Sequence, residues 1–556
     1  MCGIWAIFGA DEDVSKQCAS ALKIAHRGPD AFRIENVNHY NNCCFGFHRL
    51  AIVDDLYGMQ PMRVHSHPHI WLCYNGEIYN YKKVQKEYDF EYLTECDGEA
   101  IIHLYAMGGI EAAASLLDGV FAFILLDTAN RKVFLGRDLF GVRPMFKLLK
   151  DDGFLAVCSE AKGLTGLAHG DKDHDIDLMP FPPGHYESYD LLNNGKVKLL
   201  ETVRYHSIGE TPKWAKISGC AKPRSEDIKE NIRLMLTEAV RKRLMAHRRI
   251  GCLLSGGLDS SLICSLLIKT AKEQGITYPV QTFSIGMEGS PDLKAARKVA
   301  NYLGTEHHEV VFTAEEGIEV LEDVIYSLET YDITTIRASV GMYLVSKYIN
   351  KMTDSVVIFS GEGADEVCQG YIYFHKAPSA EEASVDSHRL LKDLYMFDVL
   401  RADRTTAAHG LELRVPFLDH HFTSYFLSLP SELKQPTKGI EKYILRSAFD
   451  GLGLLPDDIL WRPKEAFSDG VSSEKRSWFE VLQDYIETQV NEEVLEDAAK
   501  KYPFNPPKTK EGYFYRSVYE KHFHGQAENH IKYIWMPSWS ETSDPSARTL
   551  KHYKSS

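Results

Sequence analysis

The sequence predicts a two-domain protein, a layered α+β unit followed by an α/β unit built on a parallel sheet. Three observations carry this. At 556 residues the chain exceeds what one hydrophobic core usually holds. Over the first 190 residues, short aromatic and β-branched runs recur between Gly, Asn and Asp, which is the grammar of sheets. After about residue 225 the pattern becomes strand, turn and helix in succession, as in a parallel sheet covered by helices.

In chain order, strands are expected at Ile4–Phe8, Phe45–Val53, Ile70–Tyr74, Val120–Leu126, Val133–Leu135 and Leu155–Cys158, with helices at Ser15–Ala25 and Glu99–Met107. Between Asn193 and Arg224 periodicity fades, and the polar stretch from Glu210 to Pro223 is interrupted by Pro and Gly. The domain boundary is therefore placed there: residues 2–190 form the first domain, 191–224 a linker and 225–535 the second domain. Each domain is expected to bury its own core. The second opens with the strand Ile250–Leu254, the helix Ser261–Lys272, the strand Val280–Ile285, the helix Leu293–Leu303, and the strands His308–Phe312 and Ser355–Phe359. Beyond about residue 385 helices dominate, and the polar residues 541–556, with Pro545, read as a loosely ordered tail.

Apolar residues make up 44% and charged residues 25% of the chain, the balance of a globular protein. The net charge of -15 argues against a broad electrostatic grip on nucleic acid or anionic lipid, so any phosphate site must be local. No apolar run approaches the ~20 residues that cross a bilayer, and the N-terminus lacks the pattern of a secretory signal. The 11 cysteines are scattered with no C-x-x-C pair, and Cys43, Cys44, Cys73, Cys158 and Cys252 fall in apolar runs. Buried free thiols in a reducing, cytoplasmic location are expected rather than disulfides or a zinc site.

Cys2 follows the initiator Met, so removing Met1 places a thiol and a free α-amino group on one residue. With a reference pKa of ~7.7 to 8.0, that amine accepts a proton near neutral pH without a His partner. Around it the chain repeatedly ends apolar strands in polar motifs: His26-Arg-Gly-Pro-Asp30, Phe47-His-Arg-Leu-Ala-Ile-Val53, Tyr74-Asn-Gly-Glu-Ile-Tyr-Asn80 and Cys96-Asp-Gly-Glu99. Cys2-Gly-Ile with these motifs in this order resembles the class II glutamine amidotransferase family. The resemblance implies a four-layer αββα N-terminal-nucleophile (Ntn) hydrolase domain in which the Cys2 thiolate attacks the glutamine carboxamide. It assigns Arg49 to the substrate carboxylate, Asp97 to its ammonium group, and Asn75 with the Gly76 N–H to the oxyanion. Leu50, Ala51, Ile52, Val53 and Glu77 then line the glutamine pocket, partly through backbone groups.

The second chemistry-bearing run, Leu253-Leu-Ser-Gly-Gly-Leu-Asp-Ser-Ser261, joins a short apolar strand to an amphipathic helix. Small residues let backbone N–H groups converge on an anion, and the helix N-terminus adds its dipole. The run has no Walker A lysine. It resembles the pyrophosphate loop of the ATP pyrophosphatases, which implies a doubly wound parallel sheet with a helical C-terminal part and ATP cleaved to AMP. Ser255, Gly256, Gly257 and Ser260 are assigned to pyrophosphate, Asp259 to Mg2+, and Leu253 and Ile285 to the adenine. A second strand end, Phe359-Ser-Gly-Glu-Gly-Ala-Asp-Glu366, should open on the same crevice. By resemblance Ser360 and Gly361 touch the nucleotide, Asp365 is a second Mg2+ ligand, and Glu362 helps form the acyl-adenylate.

Tyr331-Asp-Ile-Thr-Thr-Ile-Arg-Ala338 and Trp461-Arg-Pro-Lys-Glu-Ala-Phe-Ser-Asp-Gly470 extend the resemblance to the asparagine synthetase family. Thr335 and Arg337 are then assigned to substrate or pyrophosphate, and Lys464 to charge on the phosphates. The implied reaction hydrolyses glutamine, activates aspartate with ATP as β-aspartyl-AMP, and transfers ammonia to give asparagine. The expected partners are glutamine, aspartate and ATP, with no nucleic acid, no membrane, and a homodimer as the assembly allowed for. Another carboxylic acid as acceptor stays open, as does a catalytically dead relative, although Cys2, Asp259, Glu362 and Lys464 are all present.

Overall fold

The computed structural model describes residues 1–10, 18–54, 56–167, 177–217, 226–464, 470–473, 476–540 and 544–545. Two six-stranded antiparallel sheets form the first half. One runs Leu178–Pro180, Phe146–Leu149, Leu155–Cys158, Gly3–Phe8, Tyr40–Arg49, Ala31–Val37. The other runs Val197–Arg204, His185–Leu191, Lys132–Arg137, Gly119–Asp127, His67–Ile78, Met62–Val64. Their inner faces share one apolar cluster, in which Ile4, Ala6, Phe45 and Phe47 meet Trp71, Cys73, Ala122 and Ile124. Strict alternation along each strand makes this possible, because every second side chain reaches the same face.

On the outer face of the second sheet lies the Glu99–Ser115 helix, longer than expected and broken at Gly108 and Gly109. Over the first sheet the helical layer is thin. The expected Ser15–Ala25 helix is a 3-10 run, Ala19–Arg27, in which Ile24 leaves helical geometry; residues 15–17 lie outside the described residues. The rest of that layer comes from the second half of the chain, since Trp5, Ile7, Ala21 and Ile24 share a cluster with Val324, Ile336 and Val340.

Two sequence expectations need correction here. The strand expected to reach Val53 stops at Arg49, because the N–H groups of Leu50 and Ala51 turn to Cys2 Sγ and Asp30 instead of a ladder. Val197–Arg204, placed in the linker, is an edge strand of the second sheet. Its mostly exposed side chains hid the apolar signal that sequence periodicity needs. The first domain buries its own core between the two sheets, as expected, and a further cluster joins Leu50, Ile52, Val120 and Phe140 to Ile250, Leu254, Phe359 and Leu418 across the boundary.

The second half is an α/β unit with a five-stranded parallel sheet in the order Glu306–Val311, Gln281–Gly286, Arg249–Leu253, Ser355–Phe359, Glu412–Arg414. The chain first winds outward from Arg249–Leu253, then returns to its other side. The order therefore reverses between Arg249–Leu253 and Ser355–Phe359, and in such sheets ligands bind outside the carboxyl ends at the reversal. Those two strands end in the Ser255 and Ser360 loops. Apart from Asp544 and Pro545, the tail 541–556 lies outside the described residues. No described helix is long and apolar enough to cross a membrane.

Candidate active sites

Cys2 stands at the head of the strand Gly3–Phe8, which pairs Gly3 with His48 and so brings the thiol beside the Arg49 end of the neighbouring strand. The Leu50 N–H donates to Cys2 Sγ at 3.4 Å, and the thiol donates to the Leu50 carbonyl at 3.6 Å. Desolvation pushes the thiol up from its ordinary value, while the nearby α-amino group pulls it down. Met1, 1% exposed, places that amine 3.8 Å from Glu412 of the second unit. Burial lowers the amine to about 6.

The other predicted residues come from three places: Asn75, Gly76 and Glu77 from the end of His67–Ile78 in the facing sheet, Arg49 from the end of Tyr40–Arg49 in the same sheet as Cys2, and Asp97 from the loop before the Glu99–Ser115 helix. Asn75 is fully buried, and neither its amide nitrogen nor its amide oxygen has a hydrogen-bond partner. A buried amide left unpaired is costly and calls for a ligand. At Gly76 a Cβ would lie 2.1 Å from the Val120 carbonyl, so only glycine lets the strand approach this closely. Asp97 accepts from the Ile78 N–H at 2.6 Å and the Tyr74 hydroxyl at 2.8 Å, and burial lifts it to about 6. Glu77 lies 3.6 Å from Arg414 of the second unit, with its carboxyl well above the usual range through burial and the neighbouring Glu412. Arg49, buried, donates to the Asp54 carbonyl. The His26–Asp30 motif holds the pocket from behind: Arg27 Nε donates to the Cys2 carbonyl at 3.1 Å, and Asp30 accepts from Ala51 N–H at 2.8 Å. Ile52 reaches the other unit through its carbonyl, which accepts from His247 N–H at 2.8 Å.

In the second unit a cavity of about 260 Å³ opens at the reversal of strand order. The predicted Leu253, Ser255, Gly257, Asp259, Ser260, Ile285, Ser360, Gly361, Glu362, Asp365 and Lys464 all line it. Gly256 is not on the wall; its φ of +77° and its closeness to Ala295 and Ala296 make it the turn that shapes the loop. Ser260 Oγ accepts from Ser255 N–H at 3.1 Å and Ser255 Oγ from Gly257 N–H at 3.3 Å, so the hydroxyls hold the loop open ahead of the Leu258–Glu273 helix.

Charge in the cavity is paired. Lys464 Nζ lies 2.6 Å from Asp365 and 3.7 Å from Asp259. Lys442, which no motif announced, lies 2.6 Å from Asp259 and 2.5 Å from Asp365. Burial alone would raise the Asp365 carboxyl, but the two lysines hold it well below the usual range. Glu362 behaves oppositely: burial lifts it to about 7 against the opposing pull of Arg401, which lies 3.0 Å away. Asp259 Oδ1 is buried without a hydrogen-bond partner. Oxygen donors of this kind beside phosphates suit Mg2+, so the residues fit the expected ion.

Thr335 and Arg337 are not brought into the cavity. The Ile333–Met352 helix presents Thr334, Ala338, Met342 and Val345 instead, a stripe that the ~100° step per residue carries past Thr335 and Arg337. Thr335 caps back onto Asp332 at 2.8 Å, and Arg337 is buried in ion pairs with Glu511 at 2.6 Å and Asp544 at 2.9 Å. Sequence reasoning also missed Arg401 and Asp398, which line the cavity from a helix with no recognisable motif.

Comparison with known proteins covers both halves of the chain. The family described as "Glutamine amidotransferase domain" matches residues 1–188, and "Asparagine synthase" matches residues 231–387 and 377–544. The chain is similar to "Asparagine synthetase [glutamine-hydrolyzing]" of Gallus gallus, at 67% identity over 100% of this chain and 99% of that protein. Proteins of the same description from Cricetulus griseus and Homo sapiens are 65% and 63% identical, each over 100% of this chain and 99% of the relative. With a hydrogen-bonded thiol and an unpaired amide in one half, a charged cavity at a strand reversal in the other, and relatives this close along the whole chain, the protein belongs to the glutamine-hydrolysing asparagine synthetase family.

Proposed function

We propose that this ligase frees ammonia from glutamine at Cys2 and transfers it to β-aspartyl-AMP formed in the 260 Å³ cavity. The products are glutamate, asparagine, AMP and pyrophosphate. The observation that carries the reading is the pair of unfinished sites in one chain: the partnerless amide of Asn75 in the first, and the partnerless Oδ1 of Asp259 in the second. The glutaminase unit on this reading extends through the edge strand ending at Arg204. A reducing, cytoplasmic location suits the free thiols of the described cysteines.

In the first site, removal of Met1 leaves the Cys2 amine as base for its own thiol. The thiolate attacks the carboxamide carbon, the Asn75 amide and the Gly76 N–H receive the oxyanion, and ammonia leaves. Water then hydrolyses the thioester. Arg49 takes the glutamine carboxylate through its forked guanidinium and Asp97 takes the ammonium group, both from buried positions.

In the second site, the Ser255–Gly257 turn and the N-terminus of the Leu258–Glu273 helix hold the phosphates. Lys442 and Lys464 neutralise charge as pyrophosphate separates, and Glu362, paired with Arg401, faces the acyl-adenylate. Asp259 and Asp365 would hold Mg2+, which would supply further charge neutralisation on the phosphates. The cavity walls exclude water from an electrophile that water would destroy.

The test is product analysis. Purified protein given aspartate, glutamine, Mg2+ and ATP should yield asparagine, glutamate, AMP and pyrophosphate in equal amounts. ADP in place of AMP overturns the assignment of the Ser255 loop, and a different amide product overturns aspartate as acceptor.

A further inference from the structure

The segment that follows the last described helix, Ala527–His530, lies behind two walls of the cavity at once. The Trp535 backbone N–H donates to Asp332 Oδ1 at 2.7 Å. The other oxygen of Asp332 accepts from Thr335 N–H at 2.9 Å and Thr335 Oγ1 at 2.8 Å, so Asp332 caps the helix whose Thr334, Ala338 and Met342 line the cavity. The Trp535 ring, 7% exposed, lies 5.6 Å from the ring of Tyr371, itself a cavity residue. Tyr371 presents its hydroxyl 2.6 Å from Glu366 and 3.0 Å from Asp398. Asp398 pairs with Arg401 at 2.5 Å, and Arg401 reaches Glu362 at 3.0 Å.

Further contacts keep the segment in place. Ser538 Oγ donates to Asp386 at 2.8 Å, Tyr533 donates to Asp393 at 2.8 Å, and the Trp539 ring lies 5.8 Å from Tyr373. The wall is thus polar toward the cavity and aromatic behind, and the position of its polar face is set by what the aromatic face packs on.

We infer that Trp535 is a positioning residue for aspartate activation, acting through Tyr371 on the Asp398–Arg401–Glu362 chain. The inference rests on the reading of this cavity as the adenylating site. In-line attack of a carboxylate on the α-phosphorus tolerates little misplacement, and a shift of about 1 Å can cost ~100-fold in rate. Truncating the indole leaves the N–H bond to Asp332 intact and frees Tyr371 together with Tyr373, which stacks on it 5.6 Å away and also meets the Trp535 ring. The effect should therefore appear first in the kinetics of aspartate, whose carboxylate the Asp398–Arg401–Glu362 chain faces on that reading.

The experiment compares Trp535→Ala and Trp535→Phe with wild type, by ammonia-dependent asparagine synthesis and by aspartate-dependent ATP–pyrophosphate exchange. Trp535→Ala should lose tenfold or more in kcat/KM for aspartate, with KM for ATP within twofold and the glutaminase rate at Cys2 unchanged. Trp535→Phe, which keeps a ring against Tyr371, should recover most of the loss. Should the alanine variant prove insoluble, Trp535→Leu replaces it, because it keeps apolar volume without the ring contact. Aspartate kinetics within twofold of wild type overturn the inference, as does a loss shared equally by the glutaminase or not recovered by phenylalanine. Absence of exchange in wild type overturns instead the reading on which it rests.

Discussion

Replacing Lys442 by Met tests the electrostatics of the synthetase cavity. Lys442 Nζ lies 2.6 Å from Asp259 and 2.5 Å from Asp365, with 2% of its side chain exposed. Lys464 supplies the other positive charge. Two carboxylates and two ammonium groups balance; without Lys442 a net negative charge stays in the wall. At an effective dielectric of ~20, each contact near 2.6 Å amounts to roughly 6 kcal/mol before desolvation is subtracted. Breaking a buried pair from one side usually leaves a net cost of about 3 to 5 kcal/mol. At ~2 °C per kcal/mol for a unit of this size, the synthetase transition should fall by roughly 6 to 10 °C in EDTA. Excess Mg2+ should restore most of that in the variant and raise wild type far less, because a divalent cation replaces the missing charge between the carboxylates and stabilises by mass action. Differential scanning calorimetry with and without Mg2+ reads both effects. An unchanged transition in EDTA, or an equal Mg2+ shift in both proteins, would refute the reasoning.

Cys2→Ala should abolish glutamine-dependent synthesis by several orders of magnitude, since it deletes a covalent step, while synthesis from ammonium salts changes less than twofold; loss of both in a folded variant means that Cys2 serves the synthetase chemistry. Gly76→Ala should cost more than ~2 kcal/mol in stability, because its Cβ meets the Val120 carbonyl at 2.1 Å, and should silence the glutaminase; a fully active alanine variant shows the approach to be looser than described. Glu362, lifted to about 7 by burial, is raised above its unfolded value, so its contribution to stability is present in full below ~4.5 and lost as pH rises through ~7. Its part of that loss is about 3 kcal/mol, and Glu362→Gln should remove it, so denaturation of the two proteins at pH 5.5 and pH 8 should diverge in that sense; parallel pH profiles would exclude the raised carboxyl.

What was legible in the sequence was what is contiguous. The Ser255 and Ser360 loops each sit on a few consecutive residues at a strand end, and the structure sets both on one cavity. Asn75 and Gly76 were readable for the same reason. Lys442 was not: it stands more than 180 residues from Asp259 with only a helix start around it. Arg401 and Asp398 share a helix whose spacing looks like any charged surface. Thr335 and Arg337 stand off the cavity wall by rotation, since neighbours in sequence point about 100° apart on a helix. The edge strand Val197–Arg204 was lost because an exposed edge carries little apolar signal.

The two units also join, and the way they join says why one chain carries both sites. Apolar clusters run across the boundary and supply adhesion. Charges cross it too: Arg27 to Asp403 at 2.9 Å, Lys162 to Glu329 at 3.3 Å, and Lys242 to Asp118 at 2.7 Å. Buried pairs of this kind add little net stability, because desolvation offsets most of the attraction. Their contribution here is register, since an apolar contact tolerates sliding and a paired charge does not. Arg27 shows where the register is needed. The guanidinium that meets Asp403 of the second unit also donates to the Cys2 carbonyl at 3.1 Å, and Asp403 lies on the same helix as Arg401, which holds Glu362. One ten-residue helix thus reaches the Cys2 backbone through Arg27 and the Glu362 carboxylate through Arg401. On the proposed function, the geometry of ammonia release and that of its capture are fixed against a single element.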